Sequence, residues 1–344
     1  MQLLNSAAYI PSERAQLSVS DAPYPTCGDD ELVIRAHAVA INPVDWKIQT
    51  YGGSFIPHYP TILGEDVAGK IIQVGSSLTH FFRPGQRVIG HASGLSHGAA
   101  YGAFQKYPVL KGSMVCVIPE DISYEDAVVL PLSISTAAVG LFWPETLGLK
   151  LGSPAKPYDT KFAGTLLVWG GSSSVGSSVI QLAWASGYAV VATASSSNIE
   201  YCKKLGAASV LDYHDPHVVS KLVSLLKGTE NVGAYDAIGS EDTVGQCAAV
   251  LQALGGGRIA SVGVTPTVGS GVEVVGIMAS DIENDEPEVA RRIWGSFVPS
   301  ALKSGKLAPY PEALVIGEGL DDVQKGLDVQ KKGVSAKKVV ITLK

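Results

Sequence analysis

Gly164-Thr-Leu-Leu-Val-Trp-Gly-Gly-Ser-Ser-Ser-Val-Gly176 runs from an apolar stretch into a glycine and serine turn, and Ser177-Ser-Val-Ile-Gln-Leu-Ala-Trp184 continues with helical spacing. Strand, tight turn and helix in that order make a phosphate site. Gly170 and Gly171 permit the sharp turn and Gly176 lets the helix lie close to the strand. The backbone N–H groups from Ser173 to Gly176 then face a pyrophosphate at the positive end of the helix. An ordinary strand-to-helix connection built of small residues looks similar, so the context decides. Beyond Trp184 the chain alternates strand and helix at about the thirty-residue period of βαβ units.

Strands are expected near Thr165–Trp169, Ala189–Thr193, Ser209–Asp212, Ala234–Ile238, Arg258–Val262 and Glu273–Ile277. Helices fit at Val175–Ser186, Ile199–Leu205, Val218–Leu226, Asp242–Leu254 and Glu288–Ser304. Six strands so arranged make a doubly wound parallel sheet. The first third of the chain reads differently. Glu31 to Ala40 alternates apolar and polar as a half-buried strand does, and further β-like segments lie at Val67–Val74, Arg87–Ile89, Phe104–Tyr107 and Met114–Val117. A helix capped by Ser123, with Asp126 in the place of the usual Glu, is interrupted at Pro131 and resumes over Ile134–Leu141. Lys150 to Lys161, rich in Pro, Gly and Lys, reads as a surface excursion. Ala313–Ile316, the amphipathic Leu320–Gln330 and the strand Lys337–Leu343 return to the β-rich part.

With 344 residues the chain exceeds one core, so two domains are expected. Net charge −6 without a Lys/Arg cluster argues against nucleic acid or an anionic membrane as partner and leaves a small molecule as the default. Met1-Gln-Leu-Leu-Asn-Ser has no basic region ahead of an apolar core, no apolar run reaches membrane-span length, and Val339-Val-Ile-Thr-Leu-Lys344 is no retention signal. A cytoplasmic protein is expected. Cys27, Cys116, Cys202 and Cys247 are widely separated, as packing cysteines are.

An NAD site places a carboxylate about twenty residues past the first glycine. Here Thr193-Ala-Ser-Ser-Ser-Asn198 stands there, so nothing acidic at that place repels a 2′-phosphate, and Ser195, Ser196 and Asn198 can donate to one. NADPH is favoured. No arginine clamp is present. Lys203 and Tyr213 come near enough to help, although a solvated helix lysine and a packing tyrosine are equally ordinary.

Ala40-Ile-Asn-Pro-Val-Asp-Trp-Lys47, Ile62-Leu-Gly-Glu-Asp-Val-Ala-Gly69 and the late turn GGSSSVG together resemble the medium-chain dehydrogenase/reductase superfamily, in its quinone-reductase-like branch, over essentially the whole chain. Leu130-Pro-Leu-Ser-Ile-Ser-Thr-Ala-Ala138 and Lys332-Gly-Val-Ser-Ala-Lys-Lys-Val-Val340 are closer to fungal trans-acting enoyl reductases of secondary metabolism. The resemblance implies an α/β fold: a GroES-like β-barrel catalytic domain (residues 1–125 and 305–344) plus a Rossmann NADP-binding domain (126–304). The cleft between the two is expected to hold nicotinamide and substrate. Zinc members carry a cysteine at Asn42, a histidine at Glu65 and a four-cysteine lobe missing here. His37, His58, His80, His91 and His97 supply no ligand spacing in exchange, and no metal is expected.

The resemblance assigns Val44, Asp45, Trp46 and Lys47 to the nicotinamide end, Lys47 and Thr136 to catalysis, and Ser173, Ser174, Val175 and Gly176 to the pyrophosphate. Ser195, Ser196, Asn198 and Tyr213 take the 2′-phosphate, and Gly263, Val334 and Ser335 lie over the cofactor. Three functions stay open. The first is an NADPH-dependent enoyl reductase acting on an α,β-unsaturated ketone or thioester, including one carried by a polyketide synthase. The second is a quinone or small-enone reductase, and the third a non-catalytic NADPH-binding protein.

Overall fold

The computed structural model describes residues 4–52, 58–153, 163–284 and 287–343. The chain divides into two compact units, Met1–Leu132 with Glu312–Lys344, and Ser133–Pro311. The changeovers therefore fall at 132/133 and 311/312, a few residues beyond the expected 125/126 and 304/305. Most of the Pro-rich excursion at Lys150–Lys161 lies outside the described residues.

In the first unit the ten-residue strand Glu31–Ala40 is the organising element. It pairs antiparallel with Asp66–Val74 on one side and with Lys337–Thr342 on the other, where Val340, Ile341 and Thr342 oppose Ala40, Val39 and Ala38. Irregular register between Val33 and Ile34 and between Ala36 and Ala38 marks two bulges, which bend and twist the strand so that it can serve a curved sheet. The sheet continues through Arg87–His91 to Val115–Val117, and on its other edge Glu312–Glu318 lies parallel to Lys337–Thr342. A second sheet of Ser18–Ala22, Asn5–Ile10 and Thr61–Ile62 faces the same apolar core, which joins Ala8 and Ile10 to Ile34, Val67, Leu110 and Ile341.

Phe104–Tyr107, expected as a strand, is irregular. Phe104 is wholly buried, and Gln105 makes one bridge to Ala7 while its amide donates to the carbonyls of Ala99, Ala100 and Gly102. Its apolar pattern marks burial without a ladder. The short strand Val109–Lys111 takes the pairing with Glu31–Val33.

The second unit is a six-stranded parallel sheet in the order Ser209–Asp212, Ala189–Ala194, Thr165–Trp169, Asn231–Asp236, Gly257–Ser261, Val272–Gly276. Numbered within the unit this is 3-2-1-4-5-6, the doubly wound order whose switch point lies between the first and fourth strands. Thr165–Trp169 is buried at every position, as a central parallel strand covered on both faces must be. The fourth strand starts three residues before its expected place, because Asn231 pairs ahead of a bulge. The expected helix Glu288–Ser304 is split: Pro287–Arg292, a five-residue π-helical turn Ile293–Phe297, and Val298–Lys303 beginning with Pro299 in its first turn.

Tyr124–Phe142 is apolar enough for a membrane span by composition, but 78% of that window is buried within the fold. It is also two helices. Ser123 caps Tyr124–Ala127 by accepting from the Asp126 N–H, and Pro131 opens Pro131–Phe142 at the position where a missing N–H costs nothing.

Candidate functional site

The glycine turn after Thr165–Trp169 is built as a cradle. Gly170 has φ +80°, its N–H donates to Thr193 Oγ1 at 3.1 Å, and the Gly171 N–H donates to the Thr193 carbonyl at 2.8 Å, so the second strand pins the turn. Ser173 is the N-cap of Ser174–Ala185, its hydroxyl accepting from the Gly176 N–H at 3.0 Å. A Cβ on Gly176 would stand 2.2 Å from the Gly170 carbonyl oxygen, which is how closely helix and turn approach. Ser174 Oγ is buried without a hydrogen-bond partner in the protein. An orphaned hydroxyl beside free helix-start N–H groups is what a bound anion completes, so this turn fits a dinucleotide pyrophosphate. Val175 is half-buried on the same turn.

Beside the cradle, Ser195 precedes the turn Ser196–Asn198 at the end of the second strand. Ser195 Oγ lies 3.1 Å from Ser197 Oγ, and Asn198 Nδ2 is 3.4 Å from Ser172 Oγ. Tyr213 comes directly after the third strand, 41% exposed, its N–H on the Ala194 carbonyl, so the expected 2′-phosphate residues come together. Lys203 does not join them; its ammonium is 2.8 Å from Glu200 Oε1 on the helix surface. Gly263 packs on the backbone of Gly239, a Cβ on it standing 2.2 Å from the Gly239 oxygen, where the loops after the fourth and fifth strands touch. Thr136 sits in the second turn of Pro131–Phe142, 8% exposed, and its carbonyl accepts from Tyr235 Oη at 2.7 Å. It is no helix cap.

In the first unit Asn42-Pro-Val-Asp45 starts the helix Pro43–Tyr51, with Pro43 in its first turn. Asp45 is 2% exposed and its carboxyl accepts from the Asn42 N–H at 2.7 Å and the Gly64 N–H at 3.2 Å. This carboxyl is committed to capping the helix, not to lining a cofactor surface. Trp46 Nε1 donates to Gln330 Oε1 at 2.7 Å, and Val44 and Val334 pack against the core. Lys47 is exposed with its ammonium 6.0 Å from the Trp46 ring centre, and Ser335 is exposed in the turn before the last strand.

Sequence reasoning missed a buried polar centre here. Lys338, 3% exposed, sets its ammonium 2.8 Å from Asp66 Oδ2 and donates to Asn42 Oδ1, while Asn42 Nδ2 donates to the same Asp66 oxygen at 2.7 Å. Asp66 Oδ1 accepts from the Leu132 N–H. Glu65, also buried, lies 3.2 Å from His91 Nε2. Burial pushes the carboxyls of Asp45 and Glu65 above the usual carboxylate range; the Asn42 N–H opposes the shift at Asp45 and His91 opposes it at Glu65. The available signal was a lysine inside the apolar strand Lys337–Thr342 and an aspartate heading Asp66–Val74, charges that only a partner makes tolerable.

The profile of the alcohol dehydrogenase GroES-like domain matches residues 28–120, and that of the zinc-binding dehydrogenase matches residues 174–300. Dehydrogenase azaJ of Aspergillus niger is 40% identical over 98% of this chain and 99% of its own length. The trans-enoyl reductase himH of Aspergillus japonicus is 39% identical over 99% of this chain and 98% of its own. An alcohol dehydrogenase superfamily protein from Novosphingobium aromaticivorans has the same fold, with TM-score 0.79 at 23% identity over 99% of this chain and 100% of that one.

The second profile's name implies zinc. At the positions zinc members use, Asn42 offers an amide already bonded to an ammonium and a carboxylate, and Glu65 is occupied by His91. This donor set does not fit a zinc site, and among the described residues no three His, Cys, Asp or Glu side chains are grouped to hold a metal. The GroES-like unit, the doubly wound unit and the full-length likeness together make the chain an oxidoreductase with a nicotinamide cofactor, and it belongs to the medium-chain dehydrogenase/reductase superfamily.

Proposed function

We propose that this oxidoreductase is an NADPH-dependent enoyl reductase, reducing the carbon–carbon double bond of an α,β-unsaturated thioester or ketone, including chains carried by a polyketide synthase partner. The observation that carries this reading is the saturated polar centre at Asn42, Glu65, Asp66, His91 and Lys338. Direct reduction of a carbonyl in zinc members draws on a Lewis acid; a conjugated C=C bond requires only hydride at the β-carbon and a proton at the α-carbon. The full-length likeness to a trans-enoyl reductase supports the same reading.

Ser173, Ser174, Val175 and Gly176 hold the pyrophosphate, and Ser195, Ser196, Asn198 and Tyr213 the 2′-phosphate. Val44, Asp45, Trp46, Lys47, Gly263, Val334 and Ser335 frame the cofactor's other end, Asp45 through the helix start it caps. Bound there, nicotinamide supplies the hydride. Lys47 stabilises negative charge developing on the substrate carbonyl oxygen, and Thr136 orients the reacting end. Four free thiols, three of them buried, suit a reducing compartment such as the cytosol.

The test is NADPH consumption by chelator-treated protein, offered enoyl thioesters of increasing chain length beside quinones and aldehydes. Turnover of enoyl thioesters is expected. Activity confined to quinones makes the chain a quinone reductase, and tight NADPH binding with no consumption on any of them makes it a binding protein.

A further inference from the structure

The ends of the second and third strands of the parallel sheet carry a group that has no part in the proposed function so far. Ala194 lies opposite Asp212 in the ladder, and the Tyr213 N–H donates to the Ala194 carbonyl at 3.2 Å. Residues 212–214 therefore stand directly beside the Ser195–Asn198 turn. The Asp212 carboxylate accepts from the backbone N–H of His214 at 2.9 Å, from the Ser196 N–H, and from the His214 ring at Nδ1, also 2.9 Å. Its charge is spent on these donors, and they hold its pKa below the usual aspartate range, the His214 N–H foremost.

Anchored at Nδ1, the His214 imidazole keeps Nε2 as its second ring nitrogen. The side chain is 66% exposed, and the ring leans on that of Tyr213 with centroids 4.1 Å apart. The other cations of this stretch are engaged. Lys203 pairs with Glu200 and Lys204 with the Tyr310 hydroxyl, and the sequence from Ala194 to Asp215 contains no arginine.

We propose that His214, oriented by Asp212, is the residue that selects the 2′-phosphate of NADPH over the bare ribose hydroxyl of NADH. An imidazolium gripped at Nδ1 by a carboxylate presents its Nε2–H as a charge-assisted donor to a phosphate oxygen, the part an arginine plays elsewhere. Tyr213 packs behind the ring and Ser195, Ser196 and Asn198 offer neutral donors around it. This assignment rests on the NADPH reading.

The test is fluorescence titration of the full-length protein with NADPH, NADH and adenosine 2′,5′-bisphosphate, which carries the same phosphate without nicotinamide. His214→Ala is expected to weaken NADPH and the bisphosphate about tenfold, about 1.4 kcal/mol, and to leave NADH within about twofold. Equal losses for NADPH and NADH overturn the proposal, and so does Lys203→Ala removing the preference while His214→Ala keeps it. Wild-type protein that binds NADH as tightly as NADPH overturns the NADPH reading itself, and this assignment with it. A wild-type preference that survives His214→Ala overturns this assignment alone.

Discussion

A methyl group at Gly176 would sit 2.2 Å from the Gly170 carbonyl oxygen, nearer than nonbonded atoms come, and the opposing atom is backbone that cannot swing aside. Gly176→Ala must therefore lift the helix from its strand. We expect a stability loss of about 1–3 kcal/mol in chemical denaturation, together with loss of dinucleotide binding by titration. Lys338 makes the opposite case, a large group whose charge has to stay. Lys338→Met leaves Asp66 buried beside an amide and one backbone N–H, and should cost about 3–5 kcal/mol. Adding Asp66→Leu should recover part of that loss, and a double variant no more stable than Lys338→Met would show that the pair is not what holds the strand. Gly176 was legible in the sequence because a local turn dictates it. Lys338 was not, because its partner Asn42 lies 296 residues away and no local pattern joins them.

Helix starts show how an element can be legible while its residues are misassigned. Asn42-Pro-Val-Asp45 obeys the rules for an N-terminus, cap, proline and acid in the first turn, yet the resemblance drew Asp45 toward the cofactor. Its buried carboxyl is raised well above the ordinary aspartate range, first by desolvation. A raised folded value means that its contribution to stability is complete below the unfolded value and declines as pH climbs through the folded one. The denaturation midpoint of wild type should therefore fall with rising pH more steeply than that of Asp45→Asn; parallel pH profiles would refute the assignment. Strands in parallel sheets were the easiest elements to place, Thr165–Trp169 and Ser209–Asp212 to the residue, because both faces are covered and the apolar run has definite ends. Asn5–Ile10 and Ser18–Ala22 went unread, the second being mostly exposed with no apolar face to betray it. Phe104–Tyr107 misled because apolar burial and strand pairing are separate conditions, and the segment satisfies only the first.

At the scale of the molecule, two cores divide the chain unequally in sequence. Ser133–Pro311 is continuous, with its own buried cluster around Leu167, Leu222, Val250 and Ile259. Expressed alone, residues 133–311 should keep one cooperative thermal transition by circular dichroism, whereas a chain stopped at residue 332 should lose the transition of the first unit and keep that of the second. The two-unit plan was legible from the contrast between alternating β segments and the βαβ series; the changeovers were not, because Pro131–Phe142 is apolar across the boundary at Leu132. The discontinuity has a bearing on how the protein is made. As the chain leaves the ribosome, Glu31–Ala40 is synthesised with one edge open and Asp66 lacking its ammonium, and both wait for Lys337–Thr342, among the last residues translated. The nucleotide unit is complete well before that. It can close while its neighbour is still unfinished, so the final dozen residues set the moment at which the nascent protein stops being a client for chaperones.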